Sequence, residues 1–226
     1  MTFSICVHET DADAAGEPAD RFGVAVTTRL PAVGSLCPHV SEHGAIATQS
    51  MVNERLGEVG LDHVADGVAV DDALEALLNA DDGRAERQVH GVDAEGTFAF
   101  SGPECHGWYG AREGENYTVA GNLLTGASVV EAVADAYESS DREEALAPRL
   151  IDALAAGQAE GGDKRELLTV QSAAVEVVTT GGEEAGGYGN DLRVDASDSP
   201  VRDLRETYRS ATVEFARAAE AYERDR

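Results

Sequence analysis

The chain is poor in positive charge. Its 226 residues hold 17 Lys and Arg against 43 Asp and Glu, a formal net charge of -26. Lys164 is the sole lysine, and every other basic residue is arginine. A surface this anionic repels nucleic acid and anionic membranes, so neither is an expected partner. It suits a salt-loving source, because at 1 M salt the Debye length falls to about 3 Å and self-repulsion weakens. Cysteine is scarce as well. Cys6, Cys37 and Cys105 are odd in number and widely spaced, so no disulfide framework is implied. No basic and then apolar leader precedes the first strand, and no apolar run approaches the length of a membrane span. A cytoplasmic protein is the expectation. The glycine pairs Gly181-Gly182 and Gly186-Gly187 lack the lysine and the strand-to-helix setting of a phosphate-binding loop, so no nucleotide or other cofactor is expected.

What is present reads as one domain over residues 1–226, long enough to bury roughly 70% of its unfolded surface. Thr2 to Val7 is strand-like, Phe22 to Thr28 reads as its hairpin partner, and Gly44 to Gln49 as a third strand. Asn53 is placed to cap a helix, with Gly60 to Gly67 as a candidate break. Val70 to Ala80 carries Leu74, Leu77 and Leu78 on one helical face, with Asp71 and Asp72 in its first turn. Gln88 to Val92 and Thr97 to Phe100 flank an Asp93 to Gly96 turn, a hairpin signal. Tyr117 to Asn122 is another strand. Helices are expected over Ser128 to Glu138 and Leu146 to Ala156. The β-branched run Leu167 to Thr179 reads as one strand and Leu192 to Asp195 as a short one. A last helix starts at Pro200. Hairpin signals outnumber βαβ signals. The fold class is therefore α+β, two mostly antiparallel sheets with helices outside, a four-layer αββα sandwich. A sandwich of this kind is compatible with a homo-oligomer of unspecified number.

Several stretches in order resemble a family known as a domain of unknown function, number ten-twenty-eight. They are Met1 to Ile5, Phe22 to Val26, Ala32-Val33-Gly34, Gly44 to Gln49, Asn53 with Gly57, Cys105 with Trp108, Gly121-Asn122, Gly161-Gly162-Asp163, Gln171 to Ala174 and Asp191 to Asp195. That family is described as belonging to the N-terminal-nucleophile (Ntn) hydrolases. The resemblance implies an αββα sandwich and amidohydrolase chemistry on a small amide or peptide-like substrate, without naming the substrate. Arg29 stands where the family often has lysine. Arginine cannot deprotonate, but it can stabilise charge. Lys164 to Val170 forms a longer join than is usual there.

The candidate catalytic residues are Thr2, Arg29 and Asn122. With Met1 removed, Thr2 presents a hydroxyl nucleophile and an α-amine base on one residue, and such an amine titrates near 7.7 to 8.0. Asn122 or backbone N–H groups would hold the oxyanion. Gln49, Asp191 and Arg193 are candidate substrate contacts. Asp191, Arg193 and Asp195 share one strand face, and a salt-bridge ladder is the plainer reading of them. The alternative functions are a non-catalytic binding or assembly module, and a metal-dependent hydrolase on Cys37, His39 and His43. In the metal reading the two histidines align on a helix. No metal is expected in the preferred reading. Cys105 beside His106 reads as a buried, inert thiol.

Overall fold

A computed structural model describes residues 2–12, 18–165, 167–180 and 190–224. Met1 and the glycine-rich stretch 181–189 lie outside the described residues. In chain order the elements are β1 (Thr2–Ala12), β2 (Pro18–Thr28), β3 (Pro38–Ser41), β4 (Gly44–Ser50), α1 (Glu54–Ala65), α2 (Val70–Asn79), β5 (Arg87–Asp93) and β6 (Thr97–Ser101). They continue with β7 (Trp108–Glu113), β8 (Tyr117–Leu124), α3 (Ala127–Glu138), α4 (Leu146–Ala159), β9 (Gln171–Thr179), β10 (Asp191–Ser197) and α5 (Pro200–Arg224).

The strands form two sheets, ordered β10-β9-β2-β1-β8-β7 and β3-β4-β5-β6, and every pairing is antiparallel. The sheets stack face to face. Helices α1 and α2 cover the smaller one, while α3, α4 and α5 cover the larger. This is the α+β sandwich in αββα order that the hairpin count implies.

The period of two explains the layering. Strand β1 sends Phe3, Ile5 and Val7 toward the helices, into one apolar cluster with Val133, Leu150 and Leu154. It sends Thr2, Ser4 and Cys6 toward the other sheet, where Cys6 joins Val24, Val26, Ala45 and Ala47. A third cluster sits under α1 and α2, built on Ile46, Leu56, Leu74 and Leu78. Each fully buried aliphatic or aromatic side chain stabilises by about 1.5–3 kcal/mol, so three apolar layers hold the sheets in register.

The helix side of the large sheet also holds a buried ion pair. Arg149 on α4 donates to both carboxylate oxygens of Glu9, at 2.9 and 2.8 Å. Tyr137 Oη donates to Glu9 Oε1 at 2.8 Å. Burial pushes the Glu9 carboxyl up, but the hydrogen bonds from Arg149 and Tyr137 outweigh that and hold it below its ordinary value.

Some expectations need correction. Helix α1 runs unbroken through Gly60. Its glycines serve close approach: a Cβ on Gly57 would lie 2.0 Å from His39 Cδ2, and one on Gly60 would lie 2.8 Å from Ile46 Cδ1. Asn53 has the extended backbone of an N-cap, but its amide donates to Asp81 Oδ2 at 2.8 Å and makes no side-chain cap. Strand β9 starts only at Gln171, and residues 167–170 are an exposed loop. Two short strands, β3 and β7, are additions to the expected set.

Candidate functional site

Thr2 is the first residue of β1, one of the two central strands of the large sheet. It pairs with Thr28 on one side and Asn122 on the other. Its side chain faces the small sheet, and its Oγ1 donates to Thr28 Oγ1 at 3.2 Å. Thr2 is buried, with 8% of its surface exposed.

The backbone around this end is strained. Among the described residues three non-glycine positions have left-handed φ: Ala32 at 62°, Ser50 at 68° and Leu123 at 55°. All three fall at strand ends, and Leu123 is the one that adjoins a Thr2 partner, since the Ala32 N–H donates to the Asp195 carbonyl on β10 at 2.9 Å. Ala32 follows β2, Ser50 closes β4, and Leu123 sits one residue past Asn122. At Leu123 the β7–β8 register slips, because Tyr109 pairs with Asn122 while Trp108 pairs with Leu124. A bulge of this kind re-aims side chains, and strain of about 1–3 kcal/mol per residue clusters at functional sites. Gly161 (φ 103°) and Gly162 (φ 48°) make the turn that brings Asp163 to the same end. Asp163 pairs with Leu124 in an isolated bridge, accepts from the Arg29 N–H at 3.0 Å, and binds the Arg165 guanidinium at 2.9 Å. A small cavity of about 60 Å³ opens beside it, lined by Phe3, Thr27, Thr28, Arg29, Gln158 and Gln171 among others. That is the space of about two waters.

Inward from Thr2 the layer between the sheets is polar, and its hydrogen bonds have a fixed sense. The Gly121 carbonyl can only accept, so the Gln88 amide N–H points at it, at 2.9 Å. Gln88 Oε1 is then an acceptor, and it receives Gln49 Nε2 and Asn122 Nδ2, each at 2.9 Å. Gln49 Oε1 must likewise accept, so the Ser4 hydroxyl donates to it at 2.9 Å. Ser4 Oγ, its proton committed, accepts from His90 Nε2 at 2.7 Å. His90 Nδ1 is left bare and accepts from Thr118 Oγ1 at 2.8 Å. Burial drops the His90 pKa to about 3, so the ring is neutral. Ser4 and His90 therefore do not form a nucleophile–base pair, since the nitrogen facing the hydroxyl already carries its proton.

The candidate residues are thus partly assembled. Thr2, Asn122 and Gln49 converge on one end of the inter-sheet layer, with Gln49 and Asn122 joined through Gln88. Arg29 is at the same end. Its NH1 donates to the Leu168 carbonyl at 3.2 Å, while its buried Nε has no partner among the described residues. Asp191 and Arg193 stand apart, exposed on the β10 edge, three strands from β1. Arg193 pairs with Asp195 at 3.4 Å, as a ladder would. Asp191 lies opposite Glu176, and burial together with the Asp191 charge pushes the Glu176 carboxyl up to about 7.

The metal trio is divided by the fold. His39 lies on β3 against α1, not on a helix, and His43 is exposed in the β3–β4 turn. Cys37 points between the sheets toward Gln49. No group of three or more metal-ligating side chains occurs among the described residues. Burial pushes the thiols of Cys6, Cys37 and Cys105 above their ordinary values, so none is an activated nucleophile. Sequence reasoning missed Gln88, Ser4, His90 and Thr118. The signal was there in the alternation of Gln88 and His90 about Val89, a polar face on a strand with no solvent-facing side.

Fold and site together define a layered αββα protein whose central strand delivers a threonine to a strained, polar end of the space between its sheets. The chain matches the Family of unknown function (DUF1028) over residues 2–204, and it belongs to that family. It is similar to the crystal structure of protein SPO2555 from Silicibacter pomeroyi, of the same family. The identity is 27% over 93% of this chain and 89% of that chain, with a TM-score of 0.76. Among curated proteins none matches. No helix among the described residues is long and apolar enough to cross a membrane.

Proposed function

We propose that the protein is an amidohydrolase of the Ntn type, with Thr2 as nucleophile once Met1 is removed. The observation that carries this reading is the position of Thr2. It ends a central strand, its hydroxyl is turned between the sheets, and its β8 partner Asn122 is followed by the strained Leu123. The Thr2 oxygen attacks the amide carbonyl, and its proton passes to the α-amine. The carbon–nitrogen bond then breaks and the departing amine takes that proton. Water hydrolyses the resulting ester and restores Thr2. Arg29 carries the fixed positive charge nearest in sequence to Thr28, and its Nε–H, without a partner among the described residues, is a donor for developing negative charge.

Intact-mass measurement joined to a screen of amide substrates tests the proposal. The expected result is a mass lacking Met1, an ester adduct on Thr2, activity kept in Thr2→Ser and lost in Thr2→Ala. Amide hydrolysis by protein that wholly retains Met1, or by Thr2→Ala, would sink it. The burial of Thr2 and its bond to Thr28 favour a second reading, a non-catalytic scaffold. That reading expects Met1 retained and no adduct.

A further inference from the structure

The surface of this acidic protein is not uniform. Ten large apolar side chains are exposed among the described residues, and seven of them lie at the Thr2 end: Leu30, Leu36, Met51, Val52 and three in the 167–170 loop. Leu167 is 98% exposed. Apolar side chains that gather on one face are a candidate binding surface. The only lysine lies at the same end, and no carboxylate pairs with it among the described residues.

Strand order separates the two features. On the β2–β9 side of Thr2, Leu30 follows the last turn of β2 and its carbonyl accepts from Ser172 Oγ at 2.6 Å. Leu168 is fixed there by the Arg29 bond, and Val170 leads into β9. On the β7–β8 side the Lys164 N–H donates to the Leu123 carbonyl at 3.4 Å. Lys164 Nζ rests against Gly107, where an added Cβ would come within 2.5 Å of it. Thr2, on β1, lies between β2 and β8. Gly107 leads into β7, two strand steps or about 10 Å from β1, a span that one amino-acid unit and a lysine stem cover together.

We propose that the substrate class is an N-acyl amino acid, with an apolar acyl group on Leu30, Leu168 and Val170 and a free carboxylate read by Lys164. This rests on the Ntn reading, since it places the scissile amide at Thr2. Hydrolysis adds one water across the amide and yields a carboxylic acid and a free amino acid. The acyl carbon stays on the apolar side and the departing amine leaves toward the lysine. Lys164 supplies the charge at a point, on a flexible stem, so it selects for an anion without fixing the side chain of the amino acid.

The test separates binding from chemistry. Full-chain Thr2→Ala protein is titrated calorimetrically with N-octanoylglycine, its methyl ester and N-acetylglycine. The acid should bind about tenfold more tightly than its ester, the worth of one charge-assisted contact. Each added CH₂ should tighten binding about two- to threefold on this half-open surface. Lys164→Met should abolish the preference for the acid and keep the dependence on chain length. Leu168→Asp should do the reverse. If Lys164→Met keeps the acid preference, if N-acetylglycine binds as tightly as the octanoyl compound, or if nothing binds, the proposal is overturned. The native protein is incubated in parallel with N-octanoylglycine and weighed. Binding without an ester adduct or free glycine would defeat the Ntn mechanism and leave the ligand class standing.

Discussion

Replacing Glu9 by glutamine should destabilise the protein severely. The side chains of Glu9 and Arg149 are 2% and 1% exposed, so the pair sits in a medium that screens it little. Glutamine keeps the shape but turns an N–H toward a guanidinium that needs an acceptor, and it leaves the Arg149 charge buried without its bidentate partner. Breaking one side of such a pair costs about 3–5 kcal/mol. For a chain of this size that lowers the thermal midpoint by about 6–20 °C. The double replacement Glu9→Met, Arg149→Met removes both charges of that pair and should recover part of the loss, since Arg21, 3.5 Å from Glu9 Oε2, still loses this partner. The acid limb moves too. Glu9 is held below its ordinary value, so it contributes stability above the unfolded carboxyl pKa, and that stability is lost as pH falls through the folded value. The single variant should lack this contribution. The assay is thermal unfolding followed by circular dichroism at low and high salt, with Arg112→Ala as control. Arg112 pairs with Glu131, Asp135 and Glu138 on the surface, where salt should screen the effect. A shift of less than roughly 2 °C for Glu9→Gln, or one that vanishes in high salt like the control, would refute the reasoning.

Other outcomes follow from single contacts. Gly57→Ala should destabilise by about 1–3 kcal/mol in thermal unfolding, because its methyl meets the His39 ring, and His39→Ala should relieve it. Ser50→Gly should stabilise by about 1 kcal/mol by releasing a left-handed φ of 68°, as read by urea midpoint. Glu176 has a raised pKa, so the folded state holds its proton longer than the unfolded chain. Stability should therefore fall as pH rises from about 4.5 toward 7, and Glu176→Gln should flatten that decline in a pH series of melts.

Much of the architecture was legible because β strands with two buried faces, or one, print their period on the chain. Val24 and Val26, Ile5 and Val7, and the Asp93 to Gly96 turn needed no tertiary knowledge. Strand β3 was hidden because it has four residues, opens with Pro38 and carries a histidine and a serine. Strand β7 was hidden by Gly110 and its charged end, Arg112 and Glu113. In 167–170 β propensity was overridden, since the Gly161-Gly162 turn sends the chain across the sheet end before it can pair. Thr2 was reached as a candidate from its place at the head of a strand together with family likeness, and Gln49 and Asn122 from their strand ends and the same likeness. What joins them was not, because Gln88 and His90 meet their partners across the space between sheets. Glu9 and Arg149, 140 positions apart, left no local trace at all.

The directed row of amides and hydroxyls makes one ring nitrogen a reporter for a distant carbonyl. The Gly121 oxygen orients Gln88, Gln88 orients Gln49, Gln49 turns the Ser4 hydroxyl, and Ser4 decides which edge of the His90 imidazole is protonated. Any event at the Thr2 end that swings Gln88 should travel inward as a swap of tautomers, visible in nitrogen-15 spectra of a histidine that no ligand touches.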